Sequence, residues 1–126
     1  MSDLLTSLSF AASGMQAQSG RLRHVSENIA NADTPGYRRK TVSFEEAANA
    51  AGVELGKLRL DPAPLPQIHD PSHPLADESG NYFGSNVNLV TEIADARQAQ
   101  RSYEANLKMF DQARQMAQSL LELLRR

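Results

Sequence analysis

Four residues of the kinds that bind metals or move protons fall close together: His69, Asp70, His73 and Asp77. Their imidazole nitrogens and carboxylate oxygens could ligate a cation. A zinc centre, however, needs at least three ligands held at fitting geometry by a rigid scaffold. Five of the chain's six prolines lie between Pro62 and Pro74, in the same stretch. The expectation is a loop with incidental histidines and no metal. Arg38, Arg39 and Lys40 form a basic run beside Tyr37. It is too short for a nucleic-acid patch, and a net charge of −2 with a pI near 5.9 lacks the basic balance of such binders. Charges that keep an edge strand from pairing with other chains account for it. No nucleophile elbow, phosphate-binding loop or His-Glu helix motif occurs. These residues read as a non-enzymatic chain, with no catalytic residue, cofactor, small-molecule substrate or nucleic-acid partner.

The elements that carry the chain's apolar residues lie at its two ends. Leu4, Leu8, Ala11, Met15, Gln18, Leu22, Val25, Ile29 and Ala32 follow one another at alternating spacings of four and three. Leu89, Ile93, Ala96, Gln100, Tyr103, Leu107, Phe110, Arg114, Ala117, Leu121 and Leu124 do the same. A repeat averaging about 3.5 residues keeps one apolar seam facing a partner along a helix. The pattern predicts two helices of roughly 45 and 58 Å, long for 126 residues. Asn88 is the expected N-cap of the second, with Glu92 and Asp95 near its positive end and Arg125 and Arg126 near its negative end. A parallel stripe of Met109, Ala113, Met116, Leu120 and Leu123 widens the apolar face toward the C-terminus, so more than one neighbour is expected there. The first helix carries Ser7, Ser9, Ser13, Gly14, Gln16, Ser19 and Gly20 off its seam, with no charge between Asp3 and Arg21. Each interior glycine costs about 1 kcal/mol relative to alanine. Such a helix is expected to pack on several sides in an assembly and to be marginal outside it.

The segment between the helices differs in character. Thr34-Pro35-Gly36-Tyr37 suits a type II turn, with proline at the second position and glycine supplying the positive φ at the third. Arg38 to Phe44 and Val53 to Leu60 read as strands, with a helical turn over 47–51, and the proline-rich part must stay extended and edge-like. The fold class is therefore mainly α: two long terminal helices pair as a coiled-coil-like bundle around a short extended, β-rich middle. The expected boundaries are 1–33, 34–86 and 87–126 within one structural unit. Cysteine is absent, so disulfides and thiolate sites are excluded. No apolar run reaches the ~18–20 residues of a membrane span. No signal-peptide pattern is read at the N-terminus, and composition alone points to the cytoplasm.

Asn28-Ile29-Ala30-Asn31-Ala32-Asp33-Thr34-Pro35-Gly36-Tyr37 resembles the signature of the flagellar basal-body rod and hook family, in which two asparagines one turn apart precede Thr-x-Gly-Tyr. Arg101-Ser102-Tyr103-Glu104-Ala105-Asn106 resembles that family's C-terminal signature. Asp70 to Asp77 with Gly80, then Asn86-Val87-Asn88, looks like the middle of one class of proximal rod protein. The resemblance spans nearly the whole chain, and the short length fits a proximal rod protein rather than a distal one. The compact Asp33-to-Tyr37 turn is also typical of a sister proximal class, and Ser85 stands where the favoured class often has proline.

The resemblance implies a structural subunit of the proximal rod. It implies export through the flagellar type III apparatus without a cleaved signal, and polymerisation with copies and other rod proteins through the terminal helices. The resulting tube would transmit motor torque across the periplasm to the hook. It points to Asn28, Asn31, Thr34, Gly36, Tyr37, Arg101, Tyr103, Glu104 and Asn106 as signature and assembly residues. Leu8, Met15, Leu22, Ile29, Ile93, Leu107, Phe110 and Leu121 stand as the helix seam. Two alternatives from other classes are a cytoplasmic coiled-coil adaptor and a small metal-dependent enzyme using residues 69–77.

Overall fold

A computed structural model of the chain describes residues 2–48 and 52–125. It consists of helix α1 (Ser2–Ala30), six short strands and helix α2 (Leu89–Arg125). The strands are β1 (Lys40–Thr41), β2 (Phe44–Glu46), β3 (Val53–Leu55), β4 (Arg59–Leu60), β5 (Gln67–His69) and β6 (Asn81–Phe83). The helical turn expected over 47–51 falls largely outside the described residues, and Arg126 lies outside them too.

α2 begins where a cap permits it. The Asn88 Oδ1 accepts the amide protons of Val90 at 3.0 Å and Thr91 at 3.4 Å, so the side chain satisfies donors that the first turn leaves open. α1 ends at Ala30; the next residue, Asn31, donates its Nδ2 to the Glu27 carbonyl at 2.8 Å, just before Pro35 forces its predecessor out of the helical region.

The two helices run antiparallel. Asn28 meets Glu92, Arg21 meets Gln98, and Gly14 lies against Asn106. Their closest approach follows the seam drawn from the sequence only at Ala11 and Val25. The buried positions are Ala11, Gly14, Ala17, Val25 and Asn28 on α1, and Glu92, Ala99 and Ala113 on α2. Of the seam residues, Leu8, Met15, Leu22 and Phe110 are half-buried, whereas Ile29, Ile93, Leu107 and Leu121 are exposed. Side-chain size gives the physical reason. Helix backbones approach closest where side chains are smallest, so the contact line rotates by about one residue toward glycine and alanine. The large apolar groups are left flanking it.

Both glycines of α1 serve this close packing, on different sides of the helix. A Cβ at Gly14 would lie 2.8 Å from the Asn106 side chain on α2, and one at Gly20 would lie 2.5 Å from Leu55 on β3. The uncharged stretch of α1 between Asp3 and Arg21 is thus packed on two sides within the subunit itself.

The middle forms three separate two-stranded antiparallel ladders, β1–β4, β2–β3 and β5–β6. Lys40 pairs with Leu60 and Thr41 with Arg59, then Phe44 pairs with Leu55 and Glu46 with Val53. The pairing slips by one residue between the two ladders, so the long strands expected over 38–44 and 53–60 are interrupted by a bulge. This irregular hairpin lies back along α1, where the Val53 amide donates to the Ser13 hydroxyl at 3.1 Å. No helix among the described residues is long and apolar enough to cross a membrane.

Candidate functional site

The turn after α1 is built as its residues require. The Tyr37 amide donates to the Thr34 carbonyl at 3.2 Å, and Gly36 sits at φ +74°. The Gly36 amide in turn donates to the carbonyls of Phe83 and Gly84 at 3.1 and 3.3 Å, which docks the turn on the end of β6. The Asn31 Oδ1 accepts the Thr34 hydroxyl at 3.1 Å. Nothing lies within 4 Å of a Cβ added at Gly36, so a substitution there meets only backbone strain. Gly36→Val is expected to cost about 1–2 kcal/mol. Gly36→Asn should cost clearly less, because asparagine tolerates this region. Thermal melts of the two variants check this; equal losses would contradict it.

Asn28 does more than finish a helix. It is 1% exposed, and its amide is fully used. The Nδ2 donates to the Lys40 carbonyl at 3.0 Å and to Glu92 Oε2 at 3.2 Å. The Oδ1 accepts the Lys40 amide at 2.9 Å and the Tyr37 hydroxyl at 2.8 Å. That exhausts the side chain's two donors and two lone pairs, leaving none for a neighbouring subunit. One asparagine therefore joins α1, the turn, β1 and α2.

The Glu92 side chain is fully buried, and its other oxygen receives the Arg39 Nε. Arg39 also reaches Asp95 Oδ2 at 2.8 Å and lies 3.9 Å from Asp61. Burial opposes its charge most strongly, but Glu92, Asp95 and Asp61 together outweigh this and hold its pKa above the ordinary arginine value. Arg21 approaches Asp95 at 3.5 Å from α1. The Asn86 Oδ1 accepts the Arg39 amide at 2.6 Å, and its Nδ2 donates to the carbonyls of Asp61 and Ala63, both at 3.1 Å. The Ser85 hydroxyl donates to the Ala32 carbonyl. Every one of these contacts ties one segment of the chain to another. With its donors and acceptors consumed internally, the cluster is equipped to hold segments in place.

The Tyr37 phenol, neutral and donating to Asn28, is pushed above the usual tyrosine value by burial; Lys40 opposes this, and Glu27 and Glu92 add to it. The unfolded chain therefore ionises this group first, at about pH 10. The stability it contributes is full below that pH and is lost as pH rises through the folded value. Lys40, whose pKa is raised chiefly by its hydrogen bond to Glu27, weakens in the same direction in the alkaline range. The denaturant midpoint of the wild type is thus expected to fall above about pH 10 more steeply than that of Tyr37→Phe. Parallel curves would contradict the assignment.

The remaining candidate residues scatter. Tyr103 and Asn106 are half-buried on the α1 side of α2, and Asn106 Nδ2 donates to the Ser102 carbonyl at 2.9 Å. Arg101 and Glu104 are exposed. In the 69–77 stretch the side chains serve the loop's own turns. Asp70 accepts from Ser72, and Asp77 accepts the amides of Ser79 and Asn81. His69 bonds Asn81, and His73 stacks on Tyr82 at 3.9 Å between centroids. Among the described residues no group of three or more acidic or histidine side chains is placed to hold a metal ion.

The sequence reading gave Arg39 to edge-strand protection and Glu92 to the helix dipole. The structure pairs them instead. The only sequence signal for this was an acidic residue four positions after a capping asparagine, which a solvated first turn produces equally well.

The large apolar residues form the second notable surface. Leu5, Phe10 and Ile29 on α1, and Val90, Ile93, Leu107, Met109, Met116, Leu121, Leu123 and Leu124 on α2, are all exposed. So much exposed apolar area along two helices marks an interaction surface.

Comparison with known proteins bears on both features. A family model described as flagella basal body rod protein matches residues 8–38, which include the Asn28 turn. A second, described as flagellar basal body rod FlgEFG protein C-terminal, matches residues 78–123. The flagellar basal-body rod protein FlgC of Agrobacterium fabrum is 45% identical, over 99% of this chain and 98% of its own length. The chain belongs to the flagellar basal-body rod protein family. FlgC of Buchnera aphidicola and of Salmonella typhimurium are each 33% identical, over 95% of this chain and 97% of their own lengths. As a member of this family the chain is a structural subunit of the rod. These relatives bear the name of the proximal class that residues 70–77 and 101–106 resemble; the sister class, FlgB, is not better supported.

Proposed function

We propose that this rod protein is a proximal rod subunit of the FlgC kind. It joins copies of itself and other rod proteins through its two helices, forming the tube that carries motor torque to the hook. It reaches that place through the flagellar type III export apparatus, without a cleaved signal, and acts by packing rather than by catalysis. One observation carries this reading. The intrachain contact is made chiefly by glycine, alanine, Val25 and a polar cluster, while many large apolar residues of both helices, Ile29, Ile93 and Leu107 among them, stay exposed. Rod-family membership supports reading this face as the one on which copies and other rod proteins pack.

The test is complementation of an Agrobacterium fabrum strain lacking its own FlgC. Swimming should return, and the chain should co-purify with basal bodies. A stable dimer retained in the cytosol, with no basal bodies formed, would instead favour the coiled-coil adaptor.

A further inference from the structure

We propose that the Asn28–Glu92–Arg39 cluster sets the register in which the two helices pair, selecting one alignment among several that their small-residue packing would accept. The contact layer of α2 repeats at seven-residue intervals: Glu92, Ala99, Asn106 and Ala113. In the observed register Gly14 lies opposite Asn106. A slide of seven residues, about 10 Å, brings Ala99 or Ala113 opposite Gly14 instead. Small still meets small, so apolar packing alone distinguishes these alignments weakly.

The polar cluster distinguishes them sharply. β1 travels with α1, because Asn28 holds the amide and carbonyl of Lys40. Arg39, next to Lys40, follows α1 as well once a slide has released its amide from the Asn86 side chain, two residues before the α2 cap. After a slide in either direction, neither Asn28 nor Arg39 reaches Glu92. One slide brings Arg21 toward Glu92, but only by taking Arg21 from Asp95 and leaving Arg39 stranded. A buried charge that has lost its partner is strongly unfavourable, and a single buried polar position is known to fix helix register. Glu92 is the one charged member of an otherwise small or neutral layer, so its pairing carries the selection.

The chain has no cysteine, so introduced pairs report without background. Gly14→Cys is combined with Asn106→Cys for the observed register. For the two slid registers it is combined with Ala99→Cys or Ala113→Cys, with Asn106→Ala to make room. The purified full-length variants are oxidised, and intrachain disulfides are read by gel mobility. With Glu92 intact, the slid pairs should close to less than about a tenth of the observed pair. With Glu92→Ala, they should rise at least about fivefold, at the expense of the observed pair. The proposal is overturned if Glu92→Ala still closes only the observed pair, or if slid pairs close equally with Glu92 intact. It is also overturned if no pair closes in Glu92→Ala, because the cluster would then maintain the fold rather than choose its alignment.

Discussion

Replacing Arg39 with leucine is expected to destabilise the folded chain by about 3–5 kcal/mol, the cost of leaving a buried charge without its partner. The Glu92 side chain is inaccessible to solvent, and once Arg39 is gone the Asn28 amide is its one remaining partner among the described residues. The double variant Arg39→Leu/Glu92→Leu should recover at least half of the loss, since an apolar pair of similar volume often substitutes for a buried ion pair at little cost. Urea unfolding followed by helical circular dichroism measures both variants. A single-variant loss below about 1 kcal/mol, the range of an exposed ion pair, would show that water already screens this contact. A double variant no better than the single one would show that Arg39 matters through Asp95 or Asp61 instead.

Leu107→Asp and Ile29→Asp are expected to abolish rod assembly and swimming while leaving the isolated subunit nearly as stable as the wild type. Each side chain is 38% exposed in the single chain, so a carboxylate there stays hydrated and the fold should lose no more than about 1 kcal/mol. Buried against a neighbouring subunit, the same carboxylate would lose its water and find no cation, a cost of several kcal/mol at every copy. His69→Asp, at an exposed loop position, should swim normally. Normal swimming with Leu107→Asp would show that this face does not carry assembly. A large loss of subunit stability would show that the residue acts within the chain.

The elements themselves were legible because they rest on local signals. Asn88 caps α2 as its type and position require, and Pro35 and Gly36 form the turn where their dihedral preferences demand it. The rotation of the helix contact was not legible. Hydrophobic periodicity ranks residues by water aversion, whereas two helices within one subunit settle where their side chains are smallest. Ala99 and Gly14 won that contest over Leu107 and Met15. A subunit with several partners presents more than one apolar face, and periodicity cannot say which is used at home. The polar cluster was harder still. Arg39 and Glu92 lie fifty-three positions apart, and each had a cheaper explanation on its own segment. Asn28 stood out by its place in a signature, but its four bonds depend on β1 and α2 arriving together.

The three ladders of the middle segment have a consequence for how the subunit opens. None shares a strand with another, and none exceeds three paired positions. The β5–β6 ladder stands apart from the bulged hairpin that carries β1–β4 and β2–β3, so these two units can fray independently. What differs is the mooring. β1 is pinned by two bonds to a buried asparagine, and β3 is held by Ser13 and by Leu55 seated at Gly20. β5 and β6 hang from the rest by the end of β6, at the Gly36 turn. The β5–β6 hairpin, with Ile68, Leu75 and Phe83 exposed on it and its loop, can therefore be rearranged by a neighbour without loosening the helix pair. In local-unfolding terms the subunit is a stiff spine carrying one loosely hinged tab, and the free energy of opening rises stepwise from the tab toward Asn28.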